Sequence, residues 1–329
     1  MNIDEYRVDF SDFRNQFFTV EELLDIVWGK LKNKPTSMEK AFSTWSVEKK
    51  SRFIESLMLN LPVQTFYFDG SLDDWFVIDG GKRLKAIRQF IEGKFALQSL
   101  FFLGERYENC YFSDLPLSTR RKILNYKLQA YILNPGTHPQ VRFGVYTNLL
   151  SKSLKSVNSA CRLIIFNEGF SLIRALCGQW RYNMRSASGT MAIQRHELED
   201  LVGHLLVFRM NREGYYTEQE KFINIEVLVN SLLMNSRRLQ EQIELVSFEH
   251  TLHQIFSMVD LHQLQKMREM HRVDALLAVL STGNPKIIQR KGIVELVDNA
   301  WDKMEQPKGY RLKDYLERYD NLYKILREL

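Results

Sequence analysis

Along the first half of the chain the spacing of apolar residues changes several times, and each change marks an element. Over Phe18–Asn33, Val20, Leu23, Leu24, Val27 and Leu31 recur at helical intervals. Thr19 suits the N-cap, and Glu21 and Glu22 suit the positive end of the helix dipole. Pro35 breaks the polar stretch Asn33–Lys40. A second helix is expected over Val47–Leu59, started by Ser46 and burying Phe53, Ile54, Leu57 and Met58, with Leu61-Pro62 behind it. Gln64–Phe68 and Trp75–Ile78 have strand character, and Asp69-Gly70 supplies a turn between them, so the two suit a hairpin. Helical spacing returns over Lys82–Ile91 through Leu84, Ile87 and Ile91, with Gly93 closing it. A short helix over Ser118–Ile123 and a strand through Leu128, Ala130 and Ile132 follow. After the turn Asn134-Pro135-Gly136, Pro139 opens a helix that runs to Leu150, with Val141, Val145 and Leu149 expected on one face.

Beyond about residue 160 the period is almost entirely helical, as in Glu218–Met234, Arg237–Met258, Leu261–Val279 and Leu312–Leu329. Turn signals fall at Ser281–Pro285 and Gln306–Gly309. The pattern predicts an α+β domain over residues 1–160 followed by an all-α helical domain over residues 161–329. A chain of 329 residues has room for both.

Composition adds modest constraints. Hydrophobic residues are 45% and charged residues 26%, as in an ordinary globular protein. The net charge is +5, and it is uneven: residues 1–160 carry 22 Lys and Arg against 18 Asp and Glu, whereas residues 161–329 carry 23 against 22. That bias permits nucleotide or nucleic-acid binding without requiring it. Cys110, Cys161 and Cys177 lack paired spacing, which argues against a disulfide framework or zinc ribbon and for a reducing compartment. The acidic N-terminus lacks an apolar signal core, and no apolar run approaches the roughly 18 residues of a membrane span. A cytoplasmic protein without membrane attachment is expected.

The most telling local chemistry lies in Trp75-Phe76-Val77-Ile78-Asp79-Gly80-Gly81-Lys82-Arg83-Leu84. Strand, glycine turn and helix follow one another, and two cations sit in the first helical turn. Glycines let the backbone approach a ligand, and a helix N-terminus offers unpaired N–H groups to an anion. Cations at that end oppose the helix dipole unless an anion is bound between them. Gly80, Gly81, Lys82 and Arg83 are therefore candidate phosphate ligands, with Arg83 able to fork onto phosphate oxygens. Asp79 is a candidate for holding a metal or a ribose hydroxyl. The plainer alternative has Asp79 capping the helix and both cations facing solvent.

A second region interleaves Arg174, Arg181, Arg185, Arg195, Arg209 and Arg212 with Trp180, Tyr182 and Phe208. Basic and aromatic residues together suit nucleic acid. Lys152, Lys155, Arg181 and Arg185 are the candidate contacts, although Glu197, Glu199 and Asp200 dilute the charge. His250 and His253 have a spacing that can serve a metal but more commonly marks a solvated helix face, so no metal site is expected. No nucleophile-elbow motif is present, and Cys161 and Cys177 read as buried structural residues.

Several words of the chain together resemble the ParB/sulfiredoxin-like family that carries an Asp-Gly-Gln-Gln-Arg signature and includes GmrS-type subunits of modification-dependent restriction systems. They are Trp45 with Glu48–Leu57 and Leu61-Pro62-Val63; Phe76–Gly80 with Arg83-Leu84 and Gly93-Lys94-Phe95; Phe112–Pro116 with Ile123–Leu128; and Asn134 with Thr137-His138-Pro139. The resemblance covers about residues 38–167. It implies a ParB-like N-terminal domain that binds nucleotide or DNA phosphate in a prokaryotic anti-phage defence or restriction-type system. By the same resemblance Asp79 and Arg83 take the catalytic positions of active members. The implied cofactor is a nucleoside triphosphate with Mg, and the implied partners are DNA and a nuclease or other defence subunit, with homo-oligomerisation left open. The chain departs from the family at three places: Lys40-Ala41 ahead of Trp45, Gly81 and Lys82 in place of the two glutamines, and Ser151–Leu154 in place of a glycine turn. These losses favour binding without turnover. The alternatives are an active NTPase or nuclease component, and a non-catalytic structural or partner-docking subunit.

Overall fold

A computed structural model describes residues 13–30, 45–70, 75–150, 157–178, 195–235 and 309–328, with a few further helical residues between 248 and 301. The protein is mixed α/β, with one four-stranded sheet and a majority of helix among the described residues. It divides into two compact units, residues 7–153 and residues 154–329 together with 1–6.

The first unit holds the sheet. Strands β1 (Phe13–Thr19), β2 (Phe66–Asp69), β3 (Phe76–Asp79) and β4 (Lys127–Leu133) lie in the order β1-β4-β2-β3. β1 and β4 are antiparallel, β4 and β2 parallel, and β2 and β3 form the expected antiparallel pair with a register shift at Tyr67/Phe68. Helix α1 (Val20–Lys30) follows β1 directly. Thr19 and Glu22 close a reciprocal cap, each accepting from the other's backbone N–H. Helix α2 (Val47–Met58) starts at Ser46, whose hydroxyl accepts from the Lys49 N–H. Helix α3 (Gly81–Ile91) leaves β3 after one residue and ends at Gly93, which has a left-handed φ of 68°. Helix α4 (Leu117–Leu124) leads into β4, and α5 (Pro139–Leu150) follows it.

Alternation decides which sheet face is buried. Phe18, Phe66, Phe68, Leu128, Ala130 and Ile132 point to one face and join Leu23, Ile54, Leu57, Leu84, Ile87, Phe90 and Ile123 from the helices in one core. Between that core and the surface runs a loop held by side chains. The buried Glu55 carboxylate accepts the N–H groups of Phe101, Phe102 and Leu103 at 2.7–2.9 Å. Ser51 accepts from Gln98 N–H and Glu108 from Ser99 N–H.

Three expectations change. β1 lies where the sequence pattern predicts no strand, because Phe13 and Phe17 share the outward face with Asn15 while Arg14 and Gln16 share the other with Phe18. α5 buries Arg142, Phe143, Tyr146 and Leu150 rather than the face of Val141, Val145 and Leu149. In the second unit, the helix expected from Glu218 begins at Ile225 behind an Asn224 cap; a short 3-10 turn at Glu220–Phe222 precedes it.

The described helices of the second unit are α6 (Val157–Ile165), α7 (Asn167–Leu176), α8 (Arg195–Arg212), α9 (Ile225–Met234) and α10 (Leu312–Glu328). At their centre Arg162 is buried. It donates to Asp200 at 2.7 Å, to Asn230 at 2.9 Å and to Glu226, which also meets His204 Nε2 at 3.1 Å. Burial pushes the Asp200 carboxyl up to about 6. Burial also pushes Glu226 upward, but the charges of Arg162 and His204 outweigh it and hold that carboxyl well below its usual range. The helices expected over Arg237–Met258 and Leu261–Val279 lie mostly outside the described residues.

Candidate functional site

The glycine turn falls where β3 meets α3. Gly80 is the residue before the helix, with φ 103° and ψ −1°, and as a glycine it brings no capping side chain of its own. A Cβ at Gly80 would lie 2.8 Å from Cε1 of Phe66 and closer still to Cδ1, so both backbone and packing demand glycine there. The buried Phe66 ring forms the floor of the turn. Gly81 and Lys82 open the helix, both half-buried. The N-cap residue thus supplies no side-chain acceptor of its own to the first-turn N–H groups.

Asp79 and Arg83 take places that the spacing did not foretell. Asp79 does not cap the helix. Its Oδ2 accepts from Arg83 Nη2 at 2.7 Å, and the carboxylate is 46% exposed. Arg83, in contrast, is buried. It donates to the Gln64 carbonyl through Nη1, to the Thr65 carbonyl through Nη2 at 3.1 Å, and stacks 4.4 Å from the Phe66 ring centroid. Burial lowers its pKa, and the neighbouring Asp79 charge opposes the shift. A guanidinium tied to two carbonyls and a carboxylate is a brace for the turn, which corrects the expectation that Arg83 forks onto a phosphate. Of the predicted set, Gly80, Gly81 and Lys82 line the helix start, with Asp79 and Arg83 behind them.

The sheet's second face was missed by sequence reasoning. Register sets Asn15, Tyr131, Tyr67 and Asp79 in one row across all four strands. The Tyr67 and Tyr131 rings are nearly parallel, 16° apart at a centroid distance of 5.7 Å, and Phe13 meets Tyr131 edge-on. Beside this row, Phe17 and Gln129 are paired, and Gln129 contacts Thr65 and donates to Asn15, both at 3.3 Å. Phe17 is 61% exposed and Lys127 is exposed. The signal was present as period-two alternation in Phe13, Asn15, Phe17 and in Lys127, Gln129, Tyr131, but aromatic residues on both faces hid it.

The far end of the same face is closed by α5. Asp69, fully buried at the end of β2, accepts from Arg142 Nε at 2.9 Å and Nη2 at 2.7 Å, and from the Tyr146 hydroxyl at 2.9 Å. Burial and the Asp69 charge hold the Tyr146 hydroxyl far above its ordinary pKa. A pair so enclosed supports structure and has no opening to a ligand.

Lys152, Lys155, Arg181, Arg185 and His253 lie outside the described residues. His250 is exposed. Cys161 and Cys177 are buried, and burial pushes the Cys161 thiol up to about 12. Among the described residues no group of three or more His, Cys, Asp or Glu side chains gathers as metal ligands would, and no helix is long and apolar enough to cross a membrane. No protein-family model, curated protein or solved structure matches the chain.

Proposed function

We propose that residues 7–153 form a ParB-like anion-binding domain that holds the phosphate of a nucleotide or of DNA against Gly80, Gly81 and Lys82. The observation that carries this reading is the helix start itself. An obligatory glycine with positive φ stands at the N-cap of α3, where a residue without a side chain leaves the backbone N–H groups approachable. Arg83 supports the reading as a positioning residue: by tying Gln64 and Thr65 to Asp79 it fixes the strand end against the turn. The resemblance to ParB-like proteins extends the proposal to a prokaryotic defence or restriction-type system, with DNA and a nuclease or other defence subunit as partners. Binding without turnover is favoured, because Gly81 and Lys82 stand where active relatives keep polar amides, and neither glycine nor lysine orients water as an amide does.

Calorimetric titration of the full chain with ATP, GTP and CTP, each with Mg, tests the reading. A nucleotide should bind, the Lys82→Glu variant should weaken it at least tenfold, and phosphate release should stay at background with and without DNA. Absence of binding, or binding indifferent to Lys82→Glu, would remove the turn from the function. Steady phosphate release that falls in Asp79→Ala would replace the binding reading with the enzymatic one.

A further inference from the structure

The open part of the sheet has a composition that core packing does not require. Tyr67 and Tyr131 lie side by side on it, Phe13 and Phe17 flank them from the edge strand, and Asn15, Gln129 and Thr65 place amide and hydroxyl groups between the rings. Half-buried Tyr67 and Tyr131 beside exposed Phe13 and Phe17, interleaved with hydrogen-bonding side chains, suit unpaired bases, since every base has a stacking face and a polar edge. The row from Asn15 to Asp79 crosses four strands, about 14 Å at a strand spacing of about 4.8 Å. Stacked bases rise by about 3.4 Å, so the row has room for more than one. Two cationic features flank the face, although Lys127 also lies near the Glu22 carboxylate. Lys127 is exposed at one border of the face, and the α3 helix start lies at the other, where Arg83 offsets the Asp79 carboxylate.

We infer that this face binds single-stranded nucleic acid, with bases stacked on Tyr67 and Tyr131 and a backbone phosphate reaching the Gly80–Lys82 turn. The inference rests on the anion-binding reading for its phosphate end only; the stacking end stands on the sheet face. It also gives the half-exposed Phe13 and strongly exposed Phe17 a purpose on an edge strand, where uncovered aromatic residues otherwise invite aggregation.

The test uses the full chain and a fluorescein-labelled twelve-nucleotide oligothymidine, followed by fluorescence anisotropy, with ATP calorimetry on the same samples. Wild-type protein should bind the oligonucleotide with an affinity that falls as salt rises. The double variant Tyr67→Leu/Tyr131→Leu should lose at least tenfold, and Tyr67→Phe/Tyr131→Phe should stay within about threefold, because phenylalanine keeps the ring. ATP affinity should be unchanged in both, which also reports that the turn is intact. If the leucine variant binds the oligonucleotide like wild type, or if wild type binds ATP but no oligonucleotide, the face inference falls while the anion-binding reading stands. If the oligonucleotide binds through the tyrosines, ATP does not bind and Lys82→Glu leaves oligonucleotide affinity unchanged, the face holds and the turn reading falls. Should the leucine variant instead convert a wild-type dimer to monomer in sedimentation, the face is an interface between copies of this chain and the inference is overturned.

Discussion

Two arginine–carboxylate pairs sit at opposite ends of β2, and they are enclosed to different degrees. At the Asp69 end both partners are buried, and Tyr146 adds a third hydrogen bond under α5. At the Gln64 end Arg83 is buried but Asp79 is half exposed, beside a helix start whose N-cap is Gly80. Both are arginine–carboxylate pairs, but Asp69 accepts twice from Arg142 and Asp79 once from Arg83, and their cover differs most. A closed pair contributes rigidity and nothing else, whereas a pair with one open side can pass its rigidity to a ligand. Arg83 fixes the turn from behind, and Asp79 keeps one side of its carboxylate open to solvent.

The comparison breaks most visibly at the closed end. Arg142→Leu leaves the Asp69 carboxylate without its ion-pair partner in the interior, and removal of one partner of a buried pair costs about 3–5 kcal/mol. Hydrogen exchange of β2 and β4 amides should accelerate accordingly, with no specific effect on nucleotide affinity once the remaining folded fraction is counted. At the open end, Gly80→Ala forces a left-handed alanine against the Phe66 ring. The backbone cost of about 1–2 kcal/mol and an overpacking cost of about 1–3 kcal/mol predict a loss of roughly 2–5 kcal/mol. Here nucleotide affinity should collapse as well, because the helix start itself moves. If Gly80→Ala loses stability but keeps affinity, the two ends are alike and the turn is merely structural.

The helical unit supplies a further arginine-paired carboxylate, Asp200, that is largely enclosed like Asp69, and pH reads it. An unfolded aspartate titrates near 3.9, whereas burial holds Asp200 at about 6. Between those values the folded chain keeps a proton that the unfolded chain has lost, so stability falls as pH rises through the window. Glu226, held low, acts oppositely, but its influence ends near its unfolded value of about 4.5. From about pH 4.5 to 6.5 the Asp200 contribution should therefore fall by about 1–3 kcal/mol. In Asp200→Asn that slope should vanish, as followed by exchange of α8 amides against pH.

The difference between the pairs was only partly legible in the sequence. Ser46 as a cap, the β2–β3 hairpin, Pro139 at a helix start and the strand through Leu128, Ala130 and Ile132 all follow from local rules, because each depends on neighbours within a few positions. The glycine turn was visible for the same reason. What could not be read was partnership over distance. Asp69 meets Arg142 across 73 residues and Arg83 meets Gln64 across 19. Arg142 also turned the buried face of α5 by one position, since a buried ion pair defeats any rule that assigns polar residues to the outside. The open sheet face stayed hidden because aromatic residues on both sides of β1 blur the alternation that would have announced a strand.

The smallest expected effect is the most discriminating. Asp79→Asn keeps an oxygen for Arg83 Nη2 and removes only the charge. Because the carboxylate is half exposed, its ion pair is screened, and the loss of stability should stay below about 1 kcal/mol. Two roles for Asp79 then separate cleanly in nucleotide affinity. A brace for Arg83 needs only the acceptor, so binding with or without Mg should survive the Asp79→Asn change, and removing a negative charge near the phosphate should tighten it slightly. A carboxylate that holds the metal of an incoming nucleotide needs the charge, so Mg-dependent binding should weaken at least tenfold while metal-free binding does not. The first result keeps this turn a binding element and aligns Asp79 with Asp69 as architecture; the second makes the open side of the pair chemical, and with it the enzymatic reading of the domain.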